Sequence, residues 1–251
     1  MTSMTDEEII MPETFTVSVE RPELWRVTFD NPPVNKVDPE MILKLQALVG
    51  QLEADPDVKV VVFDSAIPDH FLGPYDMSRA ADTPSEPGPT GLPPWLDLTV
   101  RLARLPVVSI AVIRGVALGC GNEFALACDL RFASLERASI DQIGVHVGYG
   151  AGGGAVPRLP ALIGRARALE VVLGSQPFDG AMAERYGLVN RALPDSELDA
   201  FVAALASDIV RAGQFALTHA KALVDPVTLP SDDDLVAAYE AFFSSVARPR
   251  P

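Results

Sequence analysis

The apolar and polar positions of the chain switch between two periods, and each switch marks an element. Phe15-Thr-Val-Ser-Val-Glu20 alternates with period two, and Leu24-Trp-Arg-Val-Thr-Phe29 follows after Arg21-Pro22-Glu23, which predicts a hairpin. Asp38-Pro39-Glu40 opens a helix, with proline in its first turn, that Leu43, Leu45 and Leu48 carry to about Glu53. Lys59 to Ser65 and Val107 to Ile113 are unbroken, β-branched apolar runs, the pattern of buried strands. Trp95 to Arg104 predicts a short helix, Glu123 to Cys128 another, and Leu130 to Ala133 a strand. From Ala155 onward the pattern is helical, with breaks expected at Pro177, Pro194 and Pro226. Strands interleaved with helices predict an α/β fold.

Three stretches lack a period. Residues 1–13 are acidic and read as a disordered leader. Ala81 to Pro94 is rich in Pro, Gly, Ser and acids and reads as a mobile surface loop and a candidate lid. Ser139 to Gly154 reads as a glycine-rich loop holding Asp141, His146 and Tyr149. Gly115, Gly119 and Gly121 lie between the Val107 strand and the Glu123 helix. Glycines there permit a tight strand-to-helix turn, and they equally permit a ligand to approach unpaired N–H groups at a helix start.

Composition narrows the function classes. The chain has 251 residues, 48% of them hydrophobic, enough for one large core. A net charge of −14 argues against nucleic acid and anionic membrane surfaces as partners. Cys120 and Cys128 both lie in the apolar central segment, which suits a reducing compartment, and a cytoplasmic location is expected. No run reaches the roughly 18 apolar residues that span a bilayer. No Cys/His/Asp spacing resembles a metal site, and no Lys-Ser/Thr follows Gly152-Gly153-Gly154 to make a phosphate loop.

Motif order then adds a resemblance. Phe71-Leu-Gly-Pro-Tyr-Asp-Met77 resembles the F-x-A-G-A-D-L, and Gly115 to Asp129 the G-x-A-x-G-G-G-x-E-L-A-x-x-C-D, of the crotonase (enoyl-CoA hydratase/isomerase) superfamily. Asn31 to Val37, Ala168 to Gly174, Phe178 to Asn190 and Ala220 to Leu223 resemble its further segments in the same order, so the likeness spans roughly residues 14 to 225. The resemblance implies a spiral of ββα repeats over 14–195 and a C-terminal helical trimerisation region over 196–251, assembling as a homotrimer or dimer of trimers. It implies an acyl-CoA substrate, with coenzyme A part of the substrate and no separate cofactor. Given the acidic chain, a coenzyme A site has to be positive locally rather than globally.

By the same resemblance, the backbone N–H groups of Tyr75 and Cys120 hold the thioester oxygen while it becomes an enolate, and Asp76, Met77, Gly119 and Tyr149 contribute to substrate binding. Glu123 matches the first of the family's two catalytic acids. The second normally stands in F-G-x-P-E, where this chain reads Ile140-Asp141-Gln142-Ile143-Gly144. Anchoring on Gly150-Ala-Gly-Gly153 puts Gln142 at the vacant place, and counting from Glu123 puts Ile143 there. Asp141, His146 and Tyr149 are candidates to fill the role. One acid in place favours isomerisation or another enolate reaction over efficient hydration. The alternatives are a non-CoA C–C bond hydrolase or decarboxylase of the same fold using His146 and Asp141, or a catalytically inactive acyl-CoA-binding paralogue.

Overall fold

A computed structural model describes residues 14–246; the expected leader over 1–13 lies outside the described residues. The hairpin forms as β1 (Phe15–Arg21) and β2 (Leu24–Phe29), followed by α1 (Pro39–Ala54). Asp38 caps α1 by accepting a 2.8 Å bond from the Met41 N–H. Met41, Leu45, Leu48 and Leu52 are the buried stripe of α1, whereas Leu43, expected in it, is exposed.

Three ββα turns follow. The first is β3 (Val60–Ser65), β4 (His70–Leu72) and α2 (Pro94–Arg104). The second is β5 (Val108–Ile113), β6 (Val116–Leu118) and α3 (Cys120–Ala127). The third is β7 (Leu130–Ser134), β8 (Ser139–Asp141) and α4 (Ala155–Ile163). The chain continues through α5 (Arg165–Gly174), β9 (Phe178–Asp179), α6 (Gly180–Tyr186) and β10 (Arg191–Leu193). It closes with α7 (Asp195–Val210), α8 (Gln214–Thr228) and α9 (Asp232–Val246).

The first strand of each turn joins a six-stranded sheet, β1-β2-β3-β5-β7-β10, and the second joins a four-stranded sheet, β4-β6-β8-β9. The unbroken apolar runs are explained by burial on both faces of the larger sheet. Val61 and Phe63 point into the main core, where Phe29 and Phe63 stack at 6.2 Å and Phe124 meets Phe63 edge-on at 5.0 Å. Val60, Val62, Ile110 and Val112 point the other way, under Leu198, Val202 and Ala206 of α7. Lys221 of α8 reaches Asp129 Oδ2 at 2.7 Å and Val107 O at 2.9 Å, which ties α8 to the ends of β5 and α3. Among the described residues no single helix is long and apolar enough to cross a membrane.

Three expectations change. The Ser139–Gly154 stretch is β8, then a 3₁₀ turn over Ile143–Val147, then the entry to α4. The smaller sheet has strands of two or three residues, too short to show a period. Pro226 lies inside α8 instead of breaking it. The carbonyl it leaves without an N–H partner belongs to exposed Ala222, where water can serve. The 81–94 segment is anchored at Thr90: Asp97, fully buried, accepts from the Thr90 N–H at 3.0 Å and the Thr90 hydroxyl at 2.8 Å, and from Gln46 Nε2 of α1 at 2.8 Å.

Buried Asn35 holds the start of the spiral. Its φ is 50°, a left-handed conformation that Asn tolerates better than most residues. Nδ2 donates to Ser65 Oγ at 2.8 Å and Phe71 O at 2.9 Å, and Oδ1 accepts from the Asn31 N–H at 2.7 Å. Asn35→Ala loses all three bonds and strains the backbone, so chemical denaturation should show a loss of about 2–4 kcal/mol. Asn35→Gly relieves the strain alone and should recover only part of that loss.

Candidate active site

The site forms where the two sheets hand the chain to α3. β4 and β6 pair in parallel, with His70 opposite Val116 and Leu72 opposite Ala117. The segments leaving them therefore run side by side. After β4 the chain passes Gly73-Pro74 to Tyr75; after β6 it turns at Gly119 into α3. Gly119 adopts φ 56° and ψ −113°, which a side chain would strain. The Gly121 N–H donates to Gly73 O at 3.1 Å, and a Cβ on Gly121 would overlap Leu72 O. Glycine at 121 is what lets the start of α3 lie against the β4 segment.

This contact brings together the two proposed donors. Tyr75 is bracketed by the bonds Val37 N–H to Pro74 O, 3.1 Å, and Asp76 N–H to Val37 O, 2.8 Å. Among the described residues no backbone carbonyl accepts from the N–H of Tyr75 or of Cys120. The Cys120 N–H also stands at the positive end of α3. Both residues line a cavity of about 280 Å³, as do Pro74, Met77 and Gly119. The Tyr75 hydroxyl bonds Thr83 Oγ1, which fixes the ring against the cavity rim.

Glu123 is the one charged side chain lining the cavity among the described residues, and it is only 3% exposed. Its Oε1 accepts from the Gly153 N–H at 2.8 Å. Burial raises its carboxyl pKa, opposed by the N–H groups of Gly153 and Ala155 at the start of α4 and by the Arg158 cation behind them. A Cβ on Gly153 would overlap both Glu123 Oε2 and Trp95 Nε1, so that glycine makes room for the carboxylate. The Cys120 thiol is pushed well above its ordinary value by burial and by Glu123, so the neutral thiol is the resident form.

The other predicted residues divide. Tyr149 lines the cavity, its ring edge-on to Phe242 at 5.8 Å. Asp141 and His146 are outside the wall: Asp141 Oδ1 accepts from the Gln142 N–H at 2.6 Å, and His146 is exposed. Asp76 is outside it too, receiving the Ser78 N–H at 3.1 Å and pairing with Lys36 at 3.4 Å. Gln142, Ile143 and Gly144 all line the cavity, and Gln142 Oε1 accepts from Asn122 Nδ2 at 3.1 Å. Of the former candidate lid, only Thr83 reaches the wall, next to Ala80. Sequence reasoning missed Ile42, Trp95 and a whole side made by α9. Tyr239, Phe242 and Phe243 are spaced at i, i+3 and i+4, a stripe that signals a packing face but not what it faces.

The comparisons with known proteins follow this geometry. A sequence model described as enoyl-CoA hydratase/isomerase matches residues 21–246. The human mitochondrial methylglutaconyl-CoA hydratase is 33% identical over 164 residues, covering 65% of this chain and 48% of that protein. Its rat counterpart is likewise 33% identical, with 51% covered, so the chain spans about half the length of the curated relatives it matches. A crystal structure of a candidate enoyl-CoA hydratase from Streptomyces avermitilis superimposes with a TM-score of 0.88 at 40% identity, covering 94% of this chain and 86% of that one. An enoyl-CoA hydratase from Mycobacterium avium subsp. paratuberculosis gives a TM-score of 0.83 at 25% identity, covering 94% and 95%. With nearly all its described residues matched in sequence and fold, the chain belongs to the enoyl-CoA hydratase/isomerase family.

Proposed function

We propose that this protein converts an acyl-CoA through an enolate, with double-bond isomerisation favoured over hydration. The observation that carries the reading is that Glu123 is the single carboxylate among the described residues lining a cavity that also holds the N–H groups of Tyr75 and Cys120, neither of them taken by a backbone carbonyl, the Tyr75 N–H facing the Cys120 sulfur. For a 3-enoyl-CoA, Glu123 takes the proton from C2 and the electron pair moves onto the thioester oxygen. The two N–H groups hold that developing charge, and Glu123 returns the proton at C4. One group that gives back the proton it took is enough. Hydration needs a water activated at one carbon and a proton delivered at the next, and a second acid is absent from Gln142, Ile143 and Gly144. The reaction as written uses no separate cofactor. A methylglutaconyl-CoA substrate, as the curated relatives' name suggests for them, is the second reading on sequence likeness alone.

The donor roles are tested by separating backbone from side chain. Cys120→Ala keeps the N–H and should leave isomerisation of 3-enoyl-CoA within roughly tenfold of wild type. Cys120→Pro should cost the roughly 10²–10³-fold of a lost donor, and proline is tolerated at a first helical position. Loss of turnover in a folded Cys120→Ala would show that the thiol acts. Glu123→Gln should remove activity. Since Glu123 works as the carboxylate and burial disfavours that form, kcat/KM should rise with pH through a midpoint above the ordinary 4.5. Arg158→Gln removes a cation that favours the charged form and should move that midpoint higher still.

The missing acid has its own test. Gln142→Glu puts a carboxylate where Asn122 already donates to an amide oxygen. Gly144→Glu tries the last place of the stretch, where a Cβ would stand 3.1 Å from Gly150 O. A positioned acid or base is worth about 10²–10⁴-fold, so one of the two should raise crotonyl-CoA hydration measurably above wild type. Wild-type hydration already in the ordinary hydratase range would overturn the preference for isomerisation.

Assembly as a homotrimer or dimer of trimers is supported by apolar surface on α8, which has no buried residue. Phe215 and Val227 are each 81% exposed, Leu223 64% and Val224 57%. Light scattering at micromolar concentration should return three or six chains. Val227→Asp with Phe215→Asp should shift the mass towards the monomer, and a monomeric wild type would refute the assembly.

A further inference from the structure

Among the described residues, the part of the cavity away from Glu123 is apolar and carries no positive charge. α9 forms one side with Tyr239, Phe242 and Phe243, and Ile42, Trp95 and Val147 complete it. α9 is seated on α2 through Leu235, 1% exposed, packed with Leu96 and Val100. Phe242 lies on Gly152, where a Cβ would collide with its ring. Among the described residues no Lys, Arg or His lines the cavity. Among the described residues, two cations on neighbouring segments are engaged elsewhere. Arg79 pairs with Glu40 at 2.8 Å and Asp82 at 2.7 Å, and Lys36 with Asp76 at 3.4 Å. Arg158 is buried against Gly154, and its charge already acts on Glu123.

We infer that the cavity selects acyl-CoA esters whose acyl group is apolar and uncharged, and rejects those ending in a second carboxylate. The inference rests on the acyl-CoA reading above and adds to it the class of acyl group. An acyl chain extending from the two N–H donors meets aromatic and aliphatic walls that replace water favourably. A terminal carboxylate would give up its hydration with no cation among the described wall residues to meet it, and would share an enclosed space with Glu123, a like charge. The Tyr75 hydroxyl, bonded to Thr83, is not free to serve it. Burial keeps the Tyr239 phenol neutral, able to donate one bond but not a charge.

The test is calorimetric binding of hexanoyl-CoA, glutaryl-CoA and coenzyme A, none of which needs turnover. The two acyl groups are similar in length and differ in the end group. Hexanoyl-CoA should bind at least about a hundredfold more tightly than glutaryl-CoA, the ratio expected when one end group is desolvated unpaired. Glutaryl-CoA should gain nothing over coenzyme A. Val147→Lys places a cation at a half-exposed point of the wall and should improve glutaryl-CoA binding about tenfold; Phe242→Lys repeats the test from α9. Glutaryl-CoA binding as tightly as hexanoyl-CoA overturns the inference. So does hexanoyl-CoA binding no better than coenzyme A, which leaves the enolate chemistry standing. Failure of all three to bind overturns the acyl-CoA reading itself, and this inference with it.

Discussion

The structure depends on one close backbone approach, the Gly121 N–H against Gly73 O. It lies just past the ends of β4 and β6, and it requires glycine because a Cβ would overlap Leu72 O. Through it the first turn of α3 is fixed to the segment that carries Tyr75. Tyr75 and Cys120 thereby come to line the same cavity. Asn35 supports the same segment from the other side, since the Gly73 N–H donates to Asn35 O at 2.8 Å while the Asn35 side chain grips Phe71 O.

Glu123 shows how a carboxylate is kept inside such a fold. It is buried in the first turn of α3 and faces the start of α4, so two helix starts surround it. The N–H groups of α4's first residues and the Arg158 cation favour its charged form, and desolvation outweighs them. Arg158 is itself buried, and burial lowers its pKa to about 10. The chain's large negative charge therefore coexists with a positive local environment at the one place where a carboxylate is buried in the cavity. The compensation is built from backbone dipoles and one inward arginine rather than from a basic surface.

Much of this was legible in the sequence because it depends on short-range rules. The β-branched runs at 59–65 and 107–113 predicted buried strands, since only a sheet covered on both faces accommodates them. Asp38-Pro39 marked a helix start, and Gly119 and Gly121 marked a strand-to-helix turn with room for approach. Motif order was enough to identify the family and to single out Glu123, Tyr75 and Cys120. It also pointed to Gln142 or Ile143 as the place where the resemblance expects a second acid.

What the sequence could not decide was which residues face the same space. Asp141, His146 and Tyr149 occupy one loop, and only the turn of the 3₁₀ segment after β8 puts Tyr149 on the cavity wall and leaves His146 in solvent. The strands of the second sheet are two or three residues long, so pairing with their neighbours, not a pattern of their own, makes them strands. The aromatic stripe of α9 lies more than a hundred residues from Glu123 in the chain, and its local sequence does not say what it faces. Local sequence sets backbone conformation and the period of burial. Convergence of distant side chains on one cavity is set by packing, and packing is a property of the folded chain alone.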